Sequence, residues 1–139
     1  MEKNFAARVV DAMYDNDLFS QWLGIERVED APGRSVLRMT VRPEMCNGFG
    51  ITHGGITFSF ADSAFAFASN SHGRKSVSIE TSISHTLATH PGDVLTAVAE
   101  EDHLSNKLAN YRVTVTNQDG KVVALFKGMV YRTGREWEV

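Results

Sequence analysis

A chain of 139 residues holds enough material for one domain with a real core and too little for two, so a single domain over residues 1–139 is expected. Its 42% hydrophobic and 22% charged residues are ordinary for a globular protein, and a net charge of −3 argues against a nucleic-acid binder, which needs a basic face. No apolar run reaches the roughly 18 residues that span a bilayer, and the stretch holding Lys3, Arg8, Asp11, Asp15 and Asp17 lacks the apolar centre of a signal peptide. With one cysteine, Cys46, no intrachain disulfide is available; together these features predict a cytoplasmic protein.

Phe5, Val9 and Met13 recur at helical spacing, which predicts a short amphipathic helix over 4–15. Asp17 is placed to N-cap a second short helix from Leu18 to Leu23, with Gly24 stopping it just past its end. A strand over Ile25–Asp30, a turn at Ala31-Pro32-Gly33 and a returning strand over Ser35–Val41 follow. In the second strand Leu37, Met39 and Val41 alternate with Arg38 and Thr40, the period of a half-buried strand. Pro43 ends it and opens a polar loop.

That loop carries Asn47-Gly48-Phe49-Gly50-Ile51-Thr52-His53-Gly54-Gly55, and a long helix from about Gly54 to Ser71 follows it. Ile56, Phe58, Phe60, Ala61, Ala64, Phe65, Ala66, Phe67 and Ala68 run nearly all the way round this helix, so it is buried on most sides. Its only acid is Asp62. Beyond Gly73 the sequence predicts strands at about Lys75–Leu87, Val94–His103, Leu108–Asn117 and Lys121–Arg132, with Asp119-Gly120 as a hairpin turn. One buried helix followed by an antiparallel meander is an α+β domain, a sheet packed on a helix.

Paired glycines at a helix start leave backbone N–H groups bare, and these donors with the helix dipole suit a developing oxyanion. An acid on an apolar helix is costly to bury unless a site uses it. Gly54 or Gly55 as oxyanion donor and Asp62 as carboxylate therefore describe an acyl-transfer site. A glycine-rich helix entry beside a satisfied buried aspartate is the competing account. A thioester suits such a site: its leaving thiolate, with a pKa of roughly 8.5 if cysteine-like, departs without strong acid assistance. Asp62 can serve as general base toward water or as nucleophile.

Asn47-Gly48, His53-Gly54-Gly55 and Ala61-Asp62 resemble the signature of hotdog-fold acyl-CoA thioesterases, most nearly the small thioesterases of bacterial phenylacetate degradation. Ala12-Met13-Tyr14-Asp15-Asn16-Asp17, Leu23-Gly24-Ile25, Met39-Thr40-Val41, Asn70-Ser71, Pro91-Gly92-Asp93 and Val123-Ala124-Leu125-Phe126-Lys127-Gly128 extend the likeness over nearly the whole chain. The resemblance implies the hotdog fold, an antiparallel sheet wrapped around one long buried helix. It also implies the same roles for Gly54 and Asp62, and includes Asn47 among the site residues. Where relatives carry an acid-aromatic pair followed by a basic residue and proline, this chain has Ser84-His85-Thr86-Leu87-Ala88, a departure that leaves acyl or CoA contacts on that strand, and with them the substrate identity, outside what the resemblance implies.

Other residues are open to two accounts. Asn47 can close the loop or orient the attacking water, and His53 can organise the loop or meet the thioester. Phe58 and Phe65 suit acyl-pocket walls as well as core. Ser71, His72, Arg74 and Lys75 follow the helix C-terminus, where cations compensate the dipole or meet the phosphates of coenzyme A. Cys46 has no orienting third group for a Cys–His nucleophile, and His85, His90 and His103 lack metal-ligand spacing, so neither metal nor cofactor is expected.

The expected activity is hydrolysis of aryl- or medium-chain acyl-CoA, with phenylacetyl-CoA and its hydroxylated relatives as the substrates the resemblance favours. A hotdog enoyl-CoA hydratase and a non-catalytic acyl-CoA-binding module are the alternatives. Gly54 and Asp62 stand eight residues apart, about 12 Å along one helix. Serving one thioester therefore requires a homodimer with shared sites, each taking Gly54 from one chain and Asp62 from the other; a homotetramer built from such dimers is expected.

Overall fold

The computed structural model describes residues 3–139. Asn4 caps the first helix, α1 (Phe5–Tyr14), by accepting a 2.8 Å bond from the Ala7 N–H. Asp17 caps α2 (Leu18–Trp22) through the Ser20 N–H, and Gly24, at φ +74°, ends it in the left-handed conformation glycine adopts without strain. Strands β1 (Glu26–Ala31) and β2 (Arg34–Thr40) form a hairpin, and a short 3-10 turn at Pro43–Met45 leads into the motif loop. The long helix α3 runs from Gly54 to Asn70. Four strands complete the chain: β3 (Arg74–His85), β4 (Val94–Leu104), β5 (Leu108–Thr116) and β6 (Val122–Glu136).

All six strands lie antiparallel in one sheet of order β1-β2-β4-β5-β6-β3, with α3 against the sheet in the hotdog arrangement. Phe60, Ala61, Ala64, Phe65, Phe67 and Ala68 of α3 are fully buried against alternate residues of the sheet, Leu37, Met39, Leu95, Ala97, Val113, Val115 and Phe126 among them. Alanine on the helix shortens the approach of sheet to helix. Glycine on the sheet does the same at one point: a Cβ on Gly128 would stand 2.7 Å from the Phe65 ring.

The expected meander holds only for β4-β5-β6. The third strand pairs with β6 rather than β4, with Val77 opposite Tyr131 and His85 opposite Ala124, and β4 pairs with β2. The segment 86–93 makes this possible. Eight residues reach about 27 Å when extended, while β3 and β4 are three strand spacings apart, about 14 Å. Strand alternation names the buried face and is silent about the neighbour. β6 also runs on to Glu136, beyond the expected Arg132, because it pairs along the length of β3.

Candidate active site

The motif loop is held from three directions. Within it, the Asn47 N–H donates to Ile51 O at 2.8 Å and the Gly50 N–H to Asn47 O at 3.0 Å. The His53 N–H reaches back to Met45 O at 2.9 Å. From the β3–β4 segment, Thr89 O accepts from the Thr52 N–H at 2.8 Å, and the two buried threonine hydroxyls bond each other. The loop therefore delivers His53 and Gly54 at a fixed place, and the pairing of Thr52 with Thr89, which the sequence does not reveal, is what fixes it.

His53 is the N-cap of α3: its Nδ1 accepts from the Gly55 N–H at 3.0 Å. The neutral ring then carries its proton on Nε2. Capping explains this histidine without giving it a bond to substrate. The cap consumes the Gly55 N–H and leaves the Gly54 N–H with no acceptor among the described residues. Of the two adjacent glycines, Gly54 is thus the free donor and Gly55 is not. Asn47 is committed as well, its Oδ1 accepting from the Phe49 N–H at 2.9 Å, so the structure displays the loop-closing role.

Two turns along the helix, Asp62 is half-buried and opens into a cavity of about 150 Å³ lined also by Phe65, Ala66, Ser69, Ser76, Ser78 and Val130. Burial, and then the negative charge of Asp17, raise its pKa above the ordinary aspartate value. No donor among the described residues hydrogen-bonds its carboxylate. Asp17 comes close because α2 is tied to α3 next door: Ser20 Oγ bonds Ser63 Oγ at 2.8 Å and donates to Asp17 Oδ2 at 2.6 Å. The sequence reading passed over Ser76 and Ser78, since nothing in a strand's alternation says which helix residue it will face.

The remaining candidates divide. Phe65, 1% exposed, lines the Asp62 cavity while packing 5.5 Å from Phe126 and 5.9 Å from Tyr111, ring centre to ring centre. Phe58 leans on Phe126 at 5.6 Å and does not line that cavity. Ser71 requires correction. It is buried, donates to Ala68 O at 2.6 Å and accepts from the Gly33 N–H at 2.7 Å, so it ties the helix end to the β1–β2 turn and has no surface for a phosphate. Arg74 is bonded to Asn106, at the end of β3 remote from Gly54. Cys46 Sγ faces Arg42 O at 3.8 Å, with no histidine partner.

A bare N–H at a helix start, an unpartnered carboxylate two turns on and an antiparallel sheet packed on that helix suit a hotdog-fold hydrolase of acyl thioesters. Comparison with known proteins agrees. Residues 49–124 match the model of the thioesterase superfamily. The chain is 41% identical to the acyl-coenzyme A thioesterase PaaI of Escherichia coli strain K12 over 123 residues, 88% of each chain. The solved structure of E. coli PaaI, from the phenylacetic acid degradation operon, superposes with a TM-score of 0.93 at 39% identity, covering 94% of this chain and 95% of that one. A Streptococcus mutans protein, smu.793, solved with acetyl-CoA bound, superposes at 0.79 with 26% identity over 81% of this chain and 91% of that one. The chain belongs to the thioesterase superfamily, as a hotdog-fold acyl-CoA thioesterase of the PaaI type.

Proposed function

We propose that this thioesterase hydrolyses aryl- or medium-chain acyl-CoA, phenylacetyl-CoA and hydroxyphenylacetyl-CoA foremost, at sites shared between two copies of the chain in a homotetramer. The observation that carries the reading is the separation of two half-sites on one chain. Gly54, with its free N–H, lies at the His85 end of β3, and the Asp62 cavity lies at the Ser76–Ser78 end. A carboxylate about 12 Å along the helix cannot attack a carbonyl held about 3 Å from the Gly54 N–H. β3 is one of the two edges of the sheet, twelve residues long with exposed Val77 and Ile79, the kind of edge that proteins cover. Two such strands antiparallel about a two-fold axis bring the Gly54 end of one chain to the Asp62 end of the other.

In the composite site the Gly54 N–H polarises the thioester carbonyl. Asp62 either takes a proton from the attacking water or adds to the carbonyl itself, and coenzyme A leaves as the thiolate; in the second case water then cleaves the acyl–Asp62 anhydride, releasing the acid and restoring the carboxylate. Relatives support the substrate class: PaaI is named for acyl-coenzyme A hydrolysis, and smu.793 holds acetyl-CoA. A cytoplasmic location accords with the lone free thiol, Cys46. The test is a panel of acyl-CoA esters with a thiol-trapping readout for released coenzyme A. Highest kcat/KM on phenylacetyl- or hydroxyphenylacetyl-CoA is expected. A preference for long-chain esters would remove the aryl assignment, and binding without turnover on any ester would remove the enzyme.

A further inference from the structure

His85 ends β3 beside the first residue of α3, and its ring lies against the Cβ position of Gly54. A Cβ built on Gly54 would sit 3.3 Å from His85 Nε2 and 3.5 Å from Cε1. The three nearest side-chain atoms to that point all belong to His85, so the imidazole walls the Gly54 position. The side chain is exposed, the last of β3, and its ring makes no hydrogen bond with any described residue. Gly54 needs no positive φ, so the ring, rather than backbone strain, is what a larger residue at 54 would meet.

From this geometry we infer that His85 is a second oxyanion donor, its Nε2–H hydrogen-bonding the same thioester oxygen that the Gly54 N–H holds. The proposal rests on the hydrolase reading above. A Cβ lies about 2.5 Å from its own backbone nitrogen, so Nε2 is within about 6 Å of the Gly54 nitrogen. A gap of up to that size can be bridged by one oxygen at hydrogen-bond distance, about 2.9 Å, from each nitrogen. No proton is transferred by His85. When the nucleophile adds to the carbonyl carbon, the C=O π pair moves onto oxygen, and both donors stabilise that charge. When the C–S bond breaks the charge returns to the carbonyl, the pair leaves with sulfur, and the imidazole is unchanged. His53 cannot do this through Nδ1, which caps the helix. Both oxyanion donors would then come from one chain and the carboxylate from the other.

The experiment compares wild type, His85→Phe, His85→Gln and Asp62→Asn on phenylacetyl-CoA or, if wild-type turnover on it is faster, hexanoyl-CoA. Glutamine keeps an N–H donor and phenylalanine keeps the ring without one. His85→Phe should lower kcat about 10- to 100-fold, at or below the loss seen for one oxyanion donor in other enzymes. Its KM should move less than about threefold and its melting temperature should stay unchanged, while His85→Gln should recover most of kcat. Should the phenylalanine variant not fold, His85→Ala takes its place against His85→Gln. The inference falls if kcat of the ring-only variant stays within about threefold of wild type, if glutamine is as damaging as phenylalanine, or if the loss lies wholly in KM. Activity in wild type, loss in Asp62→Asn and none in His85→Phe would remove His85 while leaving the hydrolase intact. No turnover in wild type would remove the hydrolase and this inference with it.

Discussion

Asp62 carries its carboxylate on the wall of a cavity, and no described residue donates a hydrogen bond to it, which has a consequence for stability as well as for catalysis. Burial and the Asp17 charge raise its pKa above the ordinary value of 3.8, so the folded chain holds this proton more tightly than the unfolded chain does. Stability must therefore fall as pH rises from 3.8 through the raised value, and the penalty stays in full above that window. Asp62→Asn should melt at a higher temperature than wild type at pH 7, with the gap closing as the pH is lowered toward 3.8, while kcat drops at least about 100-fold. Thermal melts across that range check it; a variant less stable than wild type at neutral pH would mean that the carboxylate is held by partners. Asp62 and Gly54 were legible in the sequence because each breaks a local rule: an acid on an apolar helix, a bare glycine pair at its start. Ser76, Ser78, Thr89 and His85 were not. Each matters through what another part of the chain brings to it, and a strand's own residues do not record that.

At the scale of elements, the helix and the strands were readable from periodicity, and the start of α3 at Gly54 from the paired glycines. Strand order was not, because alternation fixes which face is buried and leaves the hydrogen-bonded neighbour open. The contact between α3 and β6 shows how closely the two layers depend on each other. Phe65 fills the space a side chain at Gly128 would need, and it also packs on Phe126 and Tyr111. Gly128→Ala should cost about 1–3 kcal/mol through overpacking, and the added Phe65→Leu change should recover part of that loss as a non-additive pair. Denaturant melts of the two single variants and the double variant measure the coupling. Strict additivity would mean that the glycine serves the backbone instead of the ring.

For the whole molecule, Gly54 and Asp62 lie about 12 Å apart along one helix, and the proposed shared site requires a second copy to bring them together. Gly54 is the first residue of α3, a position where proline is tolerated; it removes the N–H and sets its ring against the His85 imidazole, 3.3 Å from the Cβ position. His53 before it, at φ −60° and ψ 133°, already has the backbone that a following proline requires. Gly54→Pro thus removes the donor and crowds His85 on the same half-site, and Asp62→Asn removes the carboxylate from the other. The most direct measurement is to reassemble a Gly54→Pro chain with an Asp62→Asn chain, each inactive alone, and assay heterodimers purified by two different tags. Shared sites predict that one of the two sites is intact and the other doubly damaged, so activity returns to about half that of a wild-type dimer. Verified heterodimers as inactive as both parents would contradict the shared site.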